Sequence, residues 1–371
     1  MNVDGAAGET IGVEEEFLLV EPERGVTVGA AGAVVGQLAS IRLPGGGTVQ
    51  RELRPSQIEA ATGVCSNTGV LREQLRAGRR ALAEAARAVD VLVVPVGTPP
   101  VRGTTAHDSG RDAGADARFA RIDGLYAGVV RDYEACGLHV HIGVPDKDLA
   151  VAVVGHVNRW LPTLLALSVN SPLHDGRDTG YGSWRIVQQS RFPGSGLASP
   201  TTGYRAWEAA VTRLVDCGVL ADVHQTFWFA RPSPRLPTVE FRVADTAADV
   251  DDAVLQALLT RALVRTALAE LDRGREAGSL SRLADAAVWS AARYGLSGPA
   301  IDLARETKVP ATALVRELLL HLRDALEDTG DLDEVRALLR RTSGAARQRH
   351  LAATAGVTEV PRLMALASGG D

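Results

Sequence analysis

Cysteine is scarce in this chain: Cys65, Cys136 and Cys217 are the only three among 371 residues, and no CxxC pair occurs. An odd, scattered set of thiols argues against a disulfide framework. Nothing close in sequence lowers the pKa of Cys136, so it reads as an inert buried thiol and not a nucleophile. Basic residues are dispersed and the net charge is −5, which leaves no footprint for nucleic acid. No GxxxxGK[ST] occurs, so a Walker phosphate loop is absent. Apolar runs are short; Leu161–Val169 is among the longest and carries Pro162, so the expectation is that nothing crosses a membrane. The opening residues, MNVDGAAGET, lack the basic and apolar regions of a signal peptide, and the expected location is cytoplasmic. Internal repeats and clear linkers are also missing, which predicts a single domain over 1–371.

What the chain does have is GVEEEFLLV at Gly12–Val20, three consecutive glutamates in an apolar segment. Alternate side chains of a strand share a face, so Glu14 and Glu16 project together, about 7 Å apart. Val13, Phe17 and Leu19 share the other face, and Glu15 falls among them. A second acidic pair follows in RELRPSQIEAATGVC, with Glu52 and Glu59 seven residues apart. Thr48–Leu53 reads as a strand after Gly45-Gly46-Gly47, and Asn67–Val89 as an amphipathic helix. Val91–Val96 is a buried strand by composition.

Gly103–Gly114 reads as loop, and Asp116–Glu134 as broadly helical. GLHVHIGVP at Gly137–Pro145 alternates cleanly, placing His139 and His141 on one face. Asp146 is positioned to cap a helix running to about Ser168. Asn170–Tyr204 has no sustained period, and a connection of that length within a domain is usually functional or disordered. Tyr204–Cys217 is helical by pattern. Gln225–Ala230 and Thr238–Val243 read as strands, the second putting Glu240 and Arg242 on one face. The catalytic sheet is thus expected mostly within 10–245, and 249–371 as nearly all helix.

Four or more acids with one or two imidazoles make a hard-to-borderline metal site, favouring Mg²⁺ or Mn²⁺ over zinc. Several cations among carboxylates can clamp a nucleotide's phosphates, and Arg242 would add fixed positive charge at a transferring phosphoryl group. GVEEEFLLV, GLHVHIGVPD, NSPLHDGRDTGYGSWR at 170–185 and RPSPRLPTVEFRVAD at 231–245 occur here in that order. In these segments the sequence resembles the glutamate–cysteine ligase type 2, or carboxylate–amine ligase, family. The resemblance implies an α+β, glutamine-synthetase-like catalytic fold with a mainly antiparallel sheet that binds ATP and divalent metals. It implies amide formation through an acyl phosphate, with glutamate as the acid and cysteine or another amine as the acceptor.

Carried over position by position, the resemblance assigns metal ligation to Glu14, Glu16, Glu52, Glu59, His139 and Glu240. Arg242 and Glu240 become the catalytic pair; Arg185, Asn170, Tyr181 and His141 become candidates for binding ATP or substrate. Arg54 and Pro55 interrupt the strand between Glu52 and Glu59, which weakens the assignment of Glu52. Arg177 and Arg191 read as loop charges beside Arg185. The competing readings are an acidic sheet edge for the glutamates, core histidines, and a cross-strand Glu240–Arg242 ion pair. Competing functions are a guanidino-type phosphotransferase on the same fold and a non-catalytic ATP or metal sensor. A homodimer through the helical tail completes the expectations.

Overall fold

The structure is a computed structural model that describes residues 7–103 and 117–367. The expected Gly103–Gly114 loop therefore lies, after its first residue, outside the described residues. The chain is α+β, as expected. Its main sheet has seven strands, numbered here in chain order: β1 (Ile11–Val20), β2 (Thr48–Arg51), β3 (Gln57–Ala61), β4 (Leu92–Val94), β5 (Gly137–Gly143), β6 (Ala230–Pro232) and β7 (Thr238–Asp245). The order across the sheet is β6-β7-β5-β1-β3-β2, with β4 on the C-terminal end of β1, and every pairing is antiparallel.

Alternation decides what each face meets. Ile11, Val13, Leu138, Val140, Ile142, Val239, Phe241 and Val243 are all buried in one apolar cluster. The helices Lys147–Val157, Leu161–Ser168 and Val250–Asp272 complete that cluster. Each fully buried Leu, Val, Ile or Phe contributes about 1.5–3 kcal/mol, so this side of the sheet supplies the scaffold's rigidity. The opposite face carries the polar residues.

Helix starts follow side-chain caps. The Asn67 side chain accepts from the Val70 N–H at 3.0 Å, Asp146 from Leu149 at 2.9 Å, and Asp249 from Asp252 at 3.0 Å. Each cap satisfies a backbone donor that has no partner within its helix. Helix Thr68–Arg87 buries Leu71, Leu75, Leu82 and Ala85, the stripe its sequence predicts.

Four expectations change. Lys147–Ser168 is long and apolar enough, by length and composition, to cross a membrane; it is 72% buried inside the protein and serves as core. Gln225–Ala230 is not one strand. Phe227–Trp228 pairs with Ser195–Gly196 in parallel, and Ala230–Pro232 pairs with β7. The C-terminal part is interrupted by a hairpin of Pro299–Asp302 with Thr307–Pro310, a pairing that short-range apolar spacing does not reveal. The strand expected over Thr48–Leu53 ends at Arg51, with one further bond from the Glu52 N–H to Gln57 O at 3.3 Å before Arg54 turns inward and donates to the Tyr133 carbonyl at 3.2 Å.

Candidate active site

Sheet register assembles the site. Glu14 pairs with His139, Glu240 with both His141 and Arg231, and Glu59 with both Glu16 and Gln50. Residues at i and i+2 then bring the rest to the same face. The result is a cleft of about 580 Å³ whose lining includes Glu14, Glu16, Glu52, Glu59, His139, His141, Glu240, Arg242, Arg185 and Arg231.

Contacts across this face are short. His139 Nδ1 lies 3.1 Å from Glu14 Oε2, and its Nε2 lies 3.5 Å from Glu16 Oε1. His141 Nδ1 is 2.9 Å from Thr238 Oγ1, and its Nε2 is 3.4 Å from Glu14 Oε1. Arg231 donates from Nε and Nη2 to the two oxygens of Glu240, at 2.8 and 3.2 Å. Arg242 pairs with the same carboxylate from its own strand. Two arginines on one carboxylate leave net positive charge at this end of the cleft.

Arg185 is buried, donating to the carbonyl oxygens of Arg242 at 3.0 Å and Val243 at 3.4 Å. Its guanidinium runs so close to Gly137 that a Cβ there would overlap it, which explains a glycine at the start of β5. The Nε–H groups of Arg185 and Arg242 are buried with no hydrogen-bond partner among the described residues.

Electrostatics divide the carboxylates into two sets. Burial alone would raise Glu14, but hydrogen bonds to His139 and His141 hold it well below the usual range. Burial also opposes ionisation of Glu240, and the charges of Arg231, Arg242 and His141 overcome it, so Glu240 is held low. Glu16, by contrast, is pushed up to about 8 by burial and by the neighbouring Glu52. Burial raises Glu52 as well, and Glu59 rises far more, through burial and the charges of Glu52, Glu14 and Glu16. Burial and the Arg242 charge lower His139 to about 4, so its imidazole is neutral and able to ligate. Burial pulls His141 down, but its contacts with Glu14 and the Glu240 charge win and the net shift is upward.

Three crowded carboxylates with raised pKa values form a set that a bound cation would stabilise. One ligand atom each from Glu14, His139 and Glu240 lie within 4.8 Å of one another, and so do ligand atoms of Glu16, Glu59 and His139. Carboxylates with one imidazole and no thiolate suit Mg²⁺ or Mn²⁺. A neutral imidazole has one free lone pair, so His139 can serve one of these two positions but not both.

Not every candidate reaches the cleft. Asn170 is buried behind it, its side chain donating to Pro95 O at 2.9 Å and Thr246 O at 2.8 Å. Tyr181 does not line it either; its hydroxyl accepts from Trp289 Nε1 at 3.2 Å and its ring faces Arg293. Asn170 starts the structural support of Arg185: its N–H donates to Asp245, which also accepts from Ser171 and Ser183. Glu52 does line the cleft, with Oε2 accepting from the Leu53 N–H at 2.8 Å. Sequence reasoning missed Arg231. The signal was its place opposite Glu240 across the RPSPRLP turn, legible only once the register is known. It also missed the aromatic wall, Phe119, Tyr133, Phe192 and Phe227, whose positions share no period.

Comparison with known proteins places this arrangement. The family model described as glutamate–cysteine ligase family 2 matches residues 10–364. A Saccharopolyspora erythraea protein provisionally named glutamate–cysteine ligase 2-2 is 48% identical over 369 residues, covering 97% of this chain and 93% of its own. A Salinispora tropica protein provisionally named glutamate–cysteine ligase 2 is 40% identical, covering 92% of this chain and 90% of its own. Among solved structures, the fold is similar to a Francisella tularensis glutamate–cysteine ligase in complex with AMP, with TM-score 0.68 and 14% identity over 96% of this chain and 88% of that one. It is also similar to a bifunctional glutathione synthetase from Pasteurella multocida, with TM-score 0.70 and 15% identity over 96% of this chain and 51% of that one. The protein is an ATP-dependent carboxylate–amine ligase by class. It belongs to glutamate–cysteine ligase family 2.

Proposed function

We propose that this site joins the side-chain carboxyl of glutamate to cysteine or another primary amine, using ATP and Mg²⁺ and passing through an acyl phosphate. The observation that carries the reading is the pairing of two opposite electrostatic regions on one sheet face. Glu16, Glu52 and Glu59 form a carboxylate cluster that needs cations; Arg242, Arg231 and Arg185 form a cationic end. A polyphosphate bridged to carboxylates by cations, with its transferring group facing arginines, satisfies both.

Glu16, Glu59 and Glu14 with Glu240 and His139 would hold the divalent ions, which supply charge neutralisation for the phosphates when bound. Arg231 fixes the Glu240 carboxylate through two hydrogen bonds, so the ligand does not reorganise during the reaction. Arg242, half-buried in the cleft lining, would supply fixed positive charge as the phosphoryl group moves to the acid, and Arg185 would brace it through the Arg242 carbonyl. The acyl phosphate turns an unreactive carboxylate oxygen into a leaving group, which the amine displaces.

Hydroxylamine tests the reaction class without knowledge of the amine. With ATP, Mg²⁺ and glutamate it intercepts the acyl phosphate, giving the hydroxamate and one phosphate per product. Omitting the metal abolishes both signals. If no acid in a broad panel gives hydroxamate or acid-dependent phosphate release while ATP still binds, the reading is wrong. A phosphotransferase would transfer phosphate to its acceptor and release none.

A further inference from the structure

β7 does not pair evenly with β5. Phe241 stands opposite Val140 and Ala244 opposite Leu138, so two residues, Arg242 and Val243, face the single residue His139. This is a β-bulge, which bends its strand and re-aims a side chain. The extra residue also changes the face that Asp245 takes. Alternation from Val239, Phe241 and Val243 would turn it into the apolar core; the bulge sets it opposite Gly137, where the Arg185 guanidinium lies.

A bulge interrupts the ladder, and its carbonyls take donors from elsewhere. Arg185 supplies them: Nη2 donates to Arg242 O at 3.0 Å and Nη1 to Val243 O at 3.4 Å. The N–H of Arg242 donates to Phe229 O at 2.7 Å. Both backbone polar groups of Arg242 are thus fixed, and its side chain leaves the strand toward Glu240. Arg185 is itself held. It is 3% exposed, and its Nη1 lies 3.8 Å from Asp245 Oδ1. Ser183 Oγ donates to Asp245 Oδ1 and Ser171 Oγ to Oδ2, each at 2.7 Å. The same hydroxyls accept from the backbone that carries the guanidinium, Ser171 from the Arg185 N–H at 3.0 Å and Ser183 from the Ile186 N–H at 3.3 Å. Each serine therefore ties the carboxylate to the chain around Arg185.

We propose that Arg185 is a positioning residue: clamped by Asp245, Ser171 and Ser183, it props the bulge of β7 and so sets the direction in which Arg242 enters the cleft. The proposal rests on the ligase reading above and gives Arg185 a task in turnover in place of contact with ATP or substrate. Two successive carbonyls match the planar fork of a guanidinium, whereas a lysine ammonium is a point charge on a flexible stem. The Nη groups of Arg185 are committed to main-chain carbonyls and its charge is met by a buried carboxylate, which leaves little to offer a phosphate. Arg242, by contrast, stabilises developing charge only as well as it is placed beforehand. A small turn of its backbone lowers the rate and leaves ground-state binding intact.

The test is a double-substitution cycle on the intact protein, with ATP, Mg²⁺, glutamate and hydroxylamine as the assay and calorimetric titration of a non-hydrolysable ATP analogue as the binding readout. Arg185→Lys is expected to lower the turnover number by about tenfold to a hundredfold, with the analogue's Kd and the glutamate KM within about twofold of wild type. In an Arg242→Lys background the same change is expected to cost less than about twofold, because a flexible point charge no longer depends on the direction the bulge sets. Ser183→Ala removes one hydrogen bond from Asp245 and keeps the Arg185 side chain; it is expected to lower turnover several-fold, again with Kd unmoved. Circular dichroism and urea midpoints check that the variants fold. A raised Kd or glutamate KM at unchanged turnover makes Arg185 a ligand contact and overturns the proposal. A lowered urea midpoint at unchanged turnover makes it purely structural and also overturns it, as do effects of the two arginines that multiply. If Arg185→Lys does not fold, wild-type turnover in Ser183→Ala overturns the proposal. Failure of wild type to form hydroxamate from any acid overturns the ligase reading and this proposal together, whereas hydroxamate formation with any of the other contrary results overturns this proposal alone.

Discussion

Arg79 donates to both oxygens of Glu15, its Nε 3.1 Å from Oε2, on the side of β1 that faces away from the cleft. The guanidinium also donates to Ala247 O at 2.8 Å, just beyond the end of β7. The middle glutamate of the EEE run is therefore a buried tie between β1, helix Thr68–Arg87 and the exit of β7. Its neighbours on either side face the cleft.

This tie predicts a stability effect. Glu15→Gln leaves a buried guanidinium without its counter-charge and should cost about 3–5 kcal/mol in unfolding free energy, measured by urea denaturation. A Glu15→Leu/Arg79→Met double variant should be less destabilised than either single change. A Glu15→Gln midpoint equal to wild type would show that the pair is solvated in solution.

Arg242→Lys keeps the charge beside Glu240 and loses the planar fork. ATP binding should persist while the turnover number falls about a hundredfold or more, because the contact strengthens in the transition state. Calorimetric titration with a non-hydrolysable ATP analogue and steady-state kinetics separate the two effects. An unchanged turnover number with a raised KM for ATP would make Arg242 a ground-state binder.

Metal-free protein should lose stability as pH rises from about 6.5 to 8. Glu16 has a folded pKa of about 8 against an ordinary value of 4.5, so across this window the folded state holds a proton that the unfolded state has lost. His141, also raised, acts in the same direction above its ordinary 6.5. His139, lowered to about 4, is neutral in the folded state but still about half protonated in the unfolded state near pH 6.5, so it opposes the decline at the start of the window and drops out by about pH 7.5. Each such proton corresponds to about 1.4 kcal/mol per pH unit at most. Melting temperatures in EDTA should therefore decline through the window, and Mg²⁺ should remove the decline, since the cation takes the proton's place. A flat or rising profile in EDTA would contradict the raised carboxyl.

Asn170 separates support from binding. Its amide satisfies two backbone carbonyls, and its carbonyl oxygen accepts from Gln348 Nε2 at 2.7 Å, drawing the C-terminal helix Gly344–Ala355 onto the sheet. Asn170→Ala strands these groups in a buried site, at about 1–3 kcal/mol for each left unpaired. The urea midpoint should fall while ATP KM changes by less than about twofold. A tenfold rise in ATP KM at unchanged stability would return Asn170 to the nucleotide site.

The sequence by itself determined the strands that carry the chemistry. Period-two alternation in GVEEEFLLV, GLHVHIGVP and TVEFRV sorted Glu14, Glu16, His139, His141, Glu240 and Arg242 onto one face each, and these segments also carried the family resemblance. The local cap at Asp146 marked a helix start that the structure reproduces. Short-range pattern stops at the edge of each strand. Only register decides that Glu14 meets His139 and Arg231 meets Glu240, because register is set by pairing between segments more than a hundred residues apart for the first and by a turn for the second. The same limit applies to Asn170 and Tyr181. They belong to a specific motif whose loop folds around Asp245 and Trp289, so the motif records a support role that only the packing discloses. The aromatic wall has no period at all. Its residues come from four separate segments, and only tertiary structure brings them to one side of the cleft.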